Sequence, residues 1–165
     1  QFDRFDITSL IFGVLQSLDI LIEQKEAQII FCHKDPIYVW ADEFKVEQVV
    51  RNYINNALNH VDGEKVIEIK ITQENDVAKI TVFNTGTPIP EEDLPHIWEK
   101  FYKVDKARTR EYGGNGIGLS IVKAIMEAHH QQYGVANHED GVEFWFTLAL
   151  APEEPEEEEQ REENS

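Results

Sequence analysis

The spacing of apolar residues changes several times along the chain, and each change marks an element. Leu10, Ile11, Val14, Leu15, Leu18 and Ile22 recur at three and four residues, which predicts a helix capped by Asp6 and running to about Glu26. Two short β-prone runs, 28–32 and 37–41, flank the turn residues His33-Lys34-Asp35-Pro36. Asp42 then caps a second helix whose Val46, Val49, Val50, Tyr53, Ile54, Ala57, Leu58 and Val61 form a wide stripe able to pack on a sheet. Beyond Asp62-Gly63 the period drops to two: Ile67, Ile69 and Ile71 alternate with Glu68, Lys70 and Thr72. Residues 66–73 and 77–83, joined at Glu74-Asn75-Asp76, therefore read as an antiparallel hairpin. A turn-rich loop over 84–90, a short helix over 91–97 and the aromatic cluster Trp98, Phe101, Tyr102 follow. Residues 103–115 are basic, glycine-containing and nearly devoid of apolar side chains, so they are expected to form a mobile loop. A helix over 117–129 and a hairpin of 133–137 with 142–150 complete the pattern. The predicted fold is a two-layer α/β sandwich, with three main helices on one face of a mostly antiparallel mixed sheet of about five strands.

The polar side of the second helix is unusual. Gln48, Asn52, Asn55, Asn56 and Asn59 share it, with His60 at its edge. Asn is a poor helix former, and four within one short span cost about 2 kcal/mol against Ala. Asn52 and Asn56 stand at i and i+4, side by side. A carboxamide oxygen suits Mg²⁺, which prefers hard oxygen donors and keeps most of its shell as phosphate and water.

Charge narrows the ligand class. The net charge is −17, of which residues 151–165 hold −7, leaving −10 on the body. The tail is expected to be a disordered acidic extension. A body at −10 argues against nucleic acid or an anionic membrane as partner, since phosphate backbones need clustered Lys and Arg. The single cysteine, Cys32, excludes a disulfide framework and fits a reducing, cytoplasmic setting. No apolar run approaches membrane-spanning length.

Two further patterns carry chemistry. Gly113-Gly114-Asn115-Gly116-Ile117-Gly118 leads directly into a helix, whose free N–H groups and positive dipole end suit an anion. Asn84, at the end of a strand and followed by Thr85 and Gly86, offers an amide able to pair with an adenine edge.

In this order the motifs resemble those of the sensor histidine kinases of the GHKL superfamily. NYINNALNHV resembles the N box, NTGTPI (84–89) the first glycine box, IWEKFYKVD (97–105) the F box and GNGIGL (114–119) the second glycine box, while GVEFWFTL looks like the last strand. The resemblance implies an ATP-binding catalytic domain over 7–150, preceded by a junction (1–6) that follows an absent dimerisation and phosphoacceptor domain. It implies ATP and Mg²⁺ as cofactors, Asn56 as the metal ligand and Asn52 at the phosphates. It implies Asn84 on adenine beside Gly86 and Ile89. Nucleotide contacts are also implied for Asn59, His60, Tyr102, Lys103 and Arg108, and at the helix start for Gly114, Asn115, Gly116, Ile117, Gly118 and Leu119. Residues 103–115 become the ATP lid.

The chain departs from the family at three positions. The adenine-reading Asp is Asn84, the basic residue three after the metal ligand is Asn59, and the second glycine of the first glycine box is Pro88. GHKL hydrolases carry a Glu four residues before the metal ligand as general base; here that residue is Asn52, which cannot serve. None of the six histidines lies in the phosphoacceptor pattern. The implied activity is donation of the γ-phosphate to a histidine elsewhere, for relay to a response regulator. The alternatives are a stand-alone GHKL ATPase or anti-sigma-type serine kinase, and a degenerate nucleotide-binding module. The fragment is expected to be a cytoplasmic monomer in isolation, without membrane contact, within a parent anchored in the cell membrane.

Overall fold

The computed structural model describes residues 1–102 and 118–152; the expected lid and most of the acidic tail lie outside these residues. The elements run β1 (Asp3–Asp6), α1 (Ile7–Ser17), α2 (Asp19–Gln24), β2 (Gln28–Ile30), β3 (Tyr38–Ala41), α3 (Glu43–His60), β4 (Val66–Glu74), β5 (Val77–Thr85), α4 (Gly118–Ala128), β6 (Tyr133–His138) and β7 (Gly141–Leu150). The strands form one open sheet in the order β1-β3-β7-β5-β4-β2, with β6 beside the first half of β7. Every pairing is antiparallel except β2 with β4.

Alternation sends Ile67, Ile69, Ile71, Ala78, Ile80, Val82, Phe144, Phe146 and Leu148 into the core, where they meet Ile11, Val49, Val50, Tyr53, Ile54, Leu58, Val122 and Met126 from the helices. The other face of the sheet stays open. Trp40 and Tyr38 stand exposed on it, with the Arg4 guanidinium 3.8 Å from the centre of the Tyr38 ring and Lys79 Nζ 4.5 Å from that of Trp145. Tyr53 is fully buried and its hydroxyl donates to the carbonyl of Trp145 at 3.0 Å. Burial pushes this phenol's pKa well above its ordinary value.

Several elements differ from expectation. The described sheet has seven strands rather than about five. The segment ahead of the first helix is itself a strand, paired residue for residue with β3 from Asp3–Ala41 to Asp6–Tyr38. Its four residues hold three charges, so no alternating apolar signal announced it. The first helix, expected as one piece, breaks at Leu18 (φ −101°, ψ 10°). There the Ser17 hydroxyl donates to the carbonyl of Val14 at 2.7 Å, a back-bond that bends helices. The expected helix over 91–97 is a chain of three-residue turns (Asp93 to Pro90, Leu94 to Glu91, His96 to Asp93). Pro95 lacks the N–H that a full helical turn would need from that position. Asp42 caps α3 as expected, accepting from Lys45 N–H at 3.1 Å.

Gly141 shows how tightly the functional end of the sheet is packed. A Cβ there would lie 2.0 Å from the carbonyl oxygen of Asn84. Gly141→Ala is expected to cost about 3 kcal/mol through backbone displacement, read as a lower midpoint in urea denaturation. An unchanged midpoint would show that the strands can part without loss.

Candidate functional site

The candidate site grows from the last two turns of α3 and the end of β5. The polar side of α3 is not an ordinary solvated face. Asn56 is only 2% exposed, and Asn52, Asn55, Asn59 and His60 are half-buried. The helix ends where the main chain turns toward β5: Val61 N–H reaches Ala57, and Asp62 N–H donates to the carbonyl of Thr85 at 2.9 Å. The Thr85 hydroxyl completes the tie by donating to the carbonyl of Asp62 at 2.8 Å and accepting from Val66 N–H at 3.0 Å. Gly86 follows at φ +153°, where a Cβ would sit 2.8 Å from the carbonyl of His60. Only glycine meets both demands.

Asn84 occupies the inward row of β5 after Ala78, Ile80 and Val82, a place where the alternation supplies apolar residues. It is 2% exposed. Its Nδ2 donates to the carbonyl of Thr85 at 3.1 Å, and this bond assigns the amide's orientation. No hydrogen bond from a described residue reaches Oδ1. The side chain therefore offers a ligand an acceptor, which is what the family's usual carboxylate offers.

The loop after Asn84 is fixed at two points. Gly86 N–H donates to the carbonyl of Asp140 at 2.9 Å. Ile89, 1% exposed, is held through its N–H (3.0 Å) and its carbonyl (2.7 Å) by the side-chain amide of Asn137. Tyr102 lies at the far end of the turn series, its hydroxyl hydrogen-bonded to the buried Asp93 and its ring stacked on His96. Trp98 packs edge-on against Tyr133 and Phe144, as expected of a core aromatic. Phe101 is 63% exposed at φ +66°.

The start of α4 can be placed by its other end. His129, just past α4, accepts from Asp42 N–H through Nε2 at 3.2 Å and faces the carbonyl of Ile125 through Nδ1 at 2.8 Å. That pairing fixes the Nδ1–H tautomer and pins the end of α4 to the beginning of α3. The two packed helices thus run in opposite directions. At 1.5 Å per residue, Gly118 and Leu119 lie about 16 Å back, level with the turn of α3 that carries Asn52. Lys103, Arg108, Gly114, Asn115, Gly116 and Ile117 lie outside the described residues. The structure brings together Asn52, Asn56, Asn59, His60, Asn84 and Gly86 by direct ties or along one helix, and Gly118 and Leu119 lie on the helix packed against α3.

The chemistry of the donors fits a metal held mainly by its ligand. Asn56 supplies one hard oxygen, and among the described residues no group of three or more His, Cys, Asp or Glu could hold an ion alone. That is the demand of Mg²⁺ carried on a polyphosphate, not of a protein cage. A polyphosphate would not suit the open cleft beside Gly86. Asp62, Glu64 and Asp140 line that cleft with Gly63, Thr85 and Thr87, and their carboxylates repel it.

Three residues of this assembly gave no motif in the sequence: Asn137, His129 and Asp93. Asn137 had a legible signal, since Asn is disfavoured inside a strand, the same mark that singled out Asn84.

Comparisons with known proteins agree on the fold. The family described as histidine kinase-, DNA gyrase B- and HSP90-like ATPases matches residues 41–152. The chain is 32% identical over 169 residues to sensor histidine kinase WalK of Bacillus subtilis strain 168, covering 93% of this chain and 28% of WalK. It is 32% identical over 135 residues to sensor histidine kinase CusS of Escherichia coli K12, covering 82% of this chain and 28% of CusS. The chain thus spans little more than a quarter of these relatives. Among solved structures, the catalytic domain of histidine kinase ThkA superposes with a TM-score of 0.79 at 29% identity, covering 91% of this chain and 96% of that one. ThkA in complex with the response regulator TrrA gives 0.75 at 27% identity, covering 92% and 42%.

The Tyr102 phenol is pushed up from 10.0 to about 12, first by its hydrogen bond to Asp93 and then by burial. The bond's contribution to stability is full below pH 10 and is lost as pH rises through about 12. In spectrophotometric titration, Asp93→Asn is expected to return one phenol toward 10. A curve superimposable on the wild type would remove Asp93 from this role.

Proposed function

The chain belongs to the family of histidine kinase-, DNA gyrase B- and HSP90-like ATPases, and we propose that it is the ATP-binding catalytic domain of a sensor histidine kinase. In this reading it holds Mg-ATP and presents the γ-phosphate to a histidine on a separate dimerisation domain, for onward transfer to a response regulator. The observation that carries the reading is the buried Asn84, its Nδ2 committed to the chain and its Oδ1 left as an acceptor, tied through Thr85 and Gly86 to the Asn-bearing end of α3.

Asn84 accepts from the exocyclic amine of adenine. Gly86, with no Cβ, lets the base approach, and Ile89 walls the pocket with apolar surface. Asn56 gives its carboxamide oxygen to Mg²⁺, while Asn52 and Asn59 stand beside the phosphates as neutral donors. When bound, Mg²⁺ neutralises charge on the transferring phosphoryl group. Gly118 and Leu119 open α4 with free N–H groups for the same anion, with Gly114, Asn115, Gly116 and Ile117 leading into them. Tyr102, Lys103 and Arg108 contact nucleotide at the base of the lid, and His60 lies at the phosphate edge.

Asn52 defines what the site does not do. An amide takes no proton from water, so the protein does not prepare a hydrolytic nucleophile. The attacking atom is an imidazole nitrogen brought by another domain; its bond to phosphorus forms as the bond from phosphorus to the bridging oxygen of ADP breaks. Catalysis rests on alignment and charge neutralisation. The chain is read as cytoplasmic, within a parent protein anchored in the membrane; among the described residues no helix is long and apolar enough to cross one.

Asn56→Ala is expected to lower phosphoryl transfer to a supplied phosphoacceptor domain by at least about a hundredfold while leaving the fold intact by circular dichroism. Full activity in that variant would refute the metal assignment. For the base, ITP replaces the amine with an oxygen acceptor. It is expected to bind at least about tenfold more weakly than ATP in calorimetry. Equal affinity would mean that Asn84 does not read the base.

A further inference from the structure

We propose that Asn137, on β6 and outside all four motifs, is a positioning residue that sets the base-binding loop. The proposal rests on the reading that residues 84–89 hold adenine.

The strand register places Asn137 where it can act. Asn84 on β5 and Asn137 on β6 are both partners of Val142 on β7, one on each side. The three residues form one row across the sheet. All three lie on its inward face, since Asn84 continues Ala78-Ile80-Val82 and Asn137 continues Tyr133-Val135. Two strand spacings, about 10 Å, separate the two amides. The loop that leaves β5 after Thr85 crosses the end of β7 and lands on Asn137.

The landing is unusual in its chemistry. Ile89 stands between Pro88 and Pro90, neither of which has an N–H. Ile89 therefore supplies the one donor of this tripeptide, so it cannot add itself to the sheet by a normal ladder. The side-chain amide of Asn137 replaces that ladder, with Oδ1 accepting from Ile89 N–H at 3.0 Å and Nδ2 donating to its carbonyl at 2.7 Å. One carboxamide imitates a backbone rung. At the loop's other end Gly86 N–H is held by Asp140, in the turn of the same β6–β7 hairpin. Both anchors of the loop thus belong to one hairpin, and the stretch between them is Thr87-Pro88. Asn137 acts through Ile89; it is not expected to touch nucleotide.

The test measures calorimetric affinity of the full chain for Mg-ATP and Mg-ITP, together with hydrogen exchange at the Ile89 amide. Asn137→Ala is expected to weaken ATP binding about tenfold, the scale of losing both arms of the clamp, and to shrink the preference for ATP over ITP several-fold. Ile89 amide exchange accelerates, while amides of the β5–β7 ladder keep their wild-type rates. Asn137→Asp keeps an acceptor for Ile89 N–H and loses the donor, and is expected to fall between the two. Wild-type affinity and base preference in both variants overturns the proposal. A loss shared equally by ATP and ITP also overturns it, because that marks a residue needed only for the fold. A wild-type chain that binds neither nucleotide overturns the underlying reading and this proposal with it.

Discussion

The site depends on the cost of placing side-chain amides where an apolar residue belongs. Asn84 takes an inward position of the sheet and Asn56 is buried on α3, each only 2% exposed. A buried polar group left unmatched costs on the order of 1–3 kcal/mol, so such positions persist only when something satisfies them. For Nδ2 of Asn84 that partner is the next carbonyl in its own strand. Oδ1 stays available as an acceptor, which in our account meets the ligand. The surrounding structure keeps that geometry fixed. Thr85 ties the end of α3 to the β4–β5 edge, Gly86 lets the loop pass the His60 carbonyl, and Gly141 lets β7 lie against the Asn84 backbone.

This arrangement also accounts for the division between binding and chemistry. Helices α3 and α4, pinned by His129 and Asp42, run in opposite directions, so the first described residues of α4 lie level with the turn of α3 that carries Asn52. In the proposed reading, a polyphosphate between them would meet neutral amides and helix N–H groups, with a metal ion adding charge neutralisation. A water-activating base is missing from that set because Asn52 stands where the hydrolases of the superfamily carry Glu. In the proposed reading, the helix that holds the nucleotide leaves the acceptor to come from another domain.

Much of this was legible in the residues because the relevant signals are local. The valine and isoleucine stripe of α3, the alternation of β4 and the Asp42 cap follow from period and propensity. The excess of Asn on α3 is equally local, and the structure buries Asn56 among these residues. What escaped the sequence was set by long-range pairing. β1 has three charged residues of four and is a strand only because β3 offers it an edge. Ser17 and Pro95 broke helical patterns through hydrogen bonds that apolar spacing does not register. Asn137 meets Ile89 across 48 residues, and Tyr102 meets Asp93 only after the turn series brings them together.

The most direct test of the account is a residue-resolved NMR titration of the chain with a non-hydrolysable ATP analogue, with and without Mg²⁺, following side-chain amide signals. The account requires the Asn84 signals to move on analogue addition in either condition and those of Asn56 to respond chiefly when Mg²⁺ is present. If saturating analogue and Mg²⁺ leave both unchanged, or shift instead the carboxylate-lined cleft around Asp62, Glu64 and Asp140, the assignment of these two buried amides to nucleotide and metal is wrong.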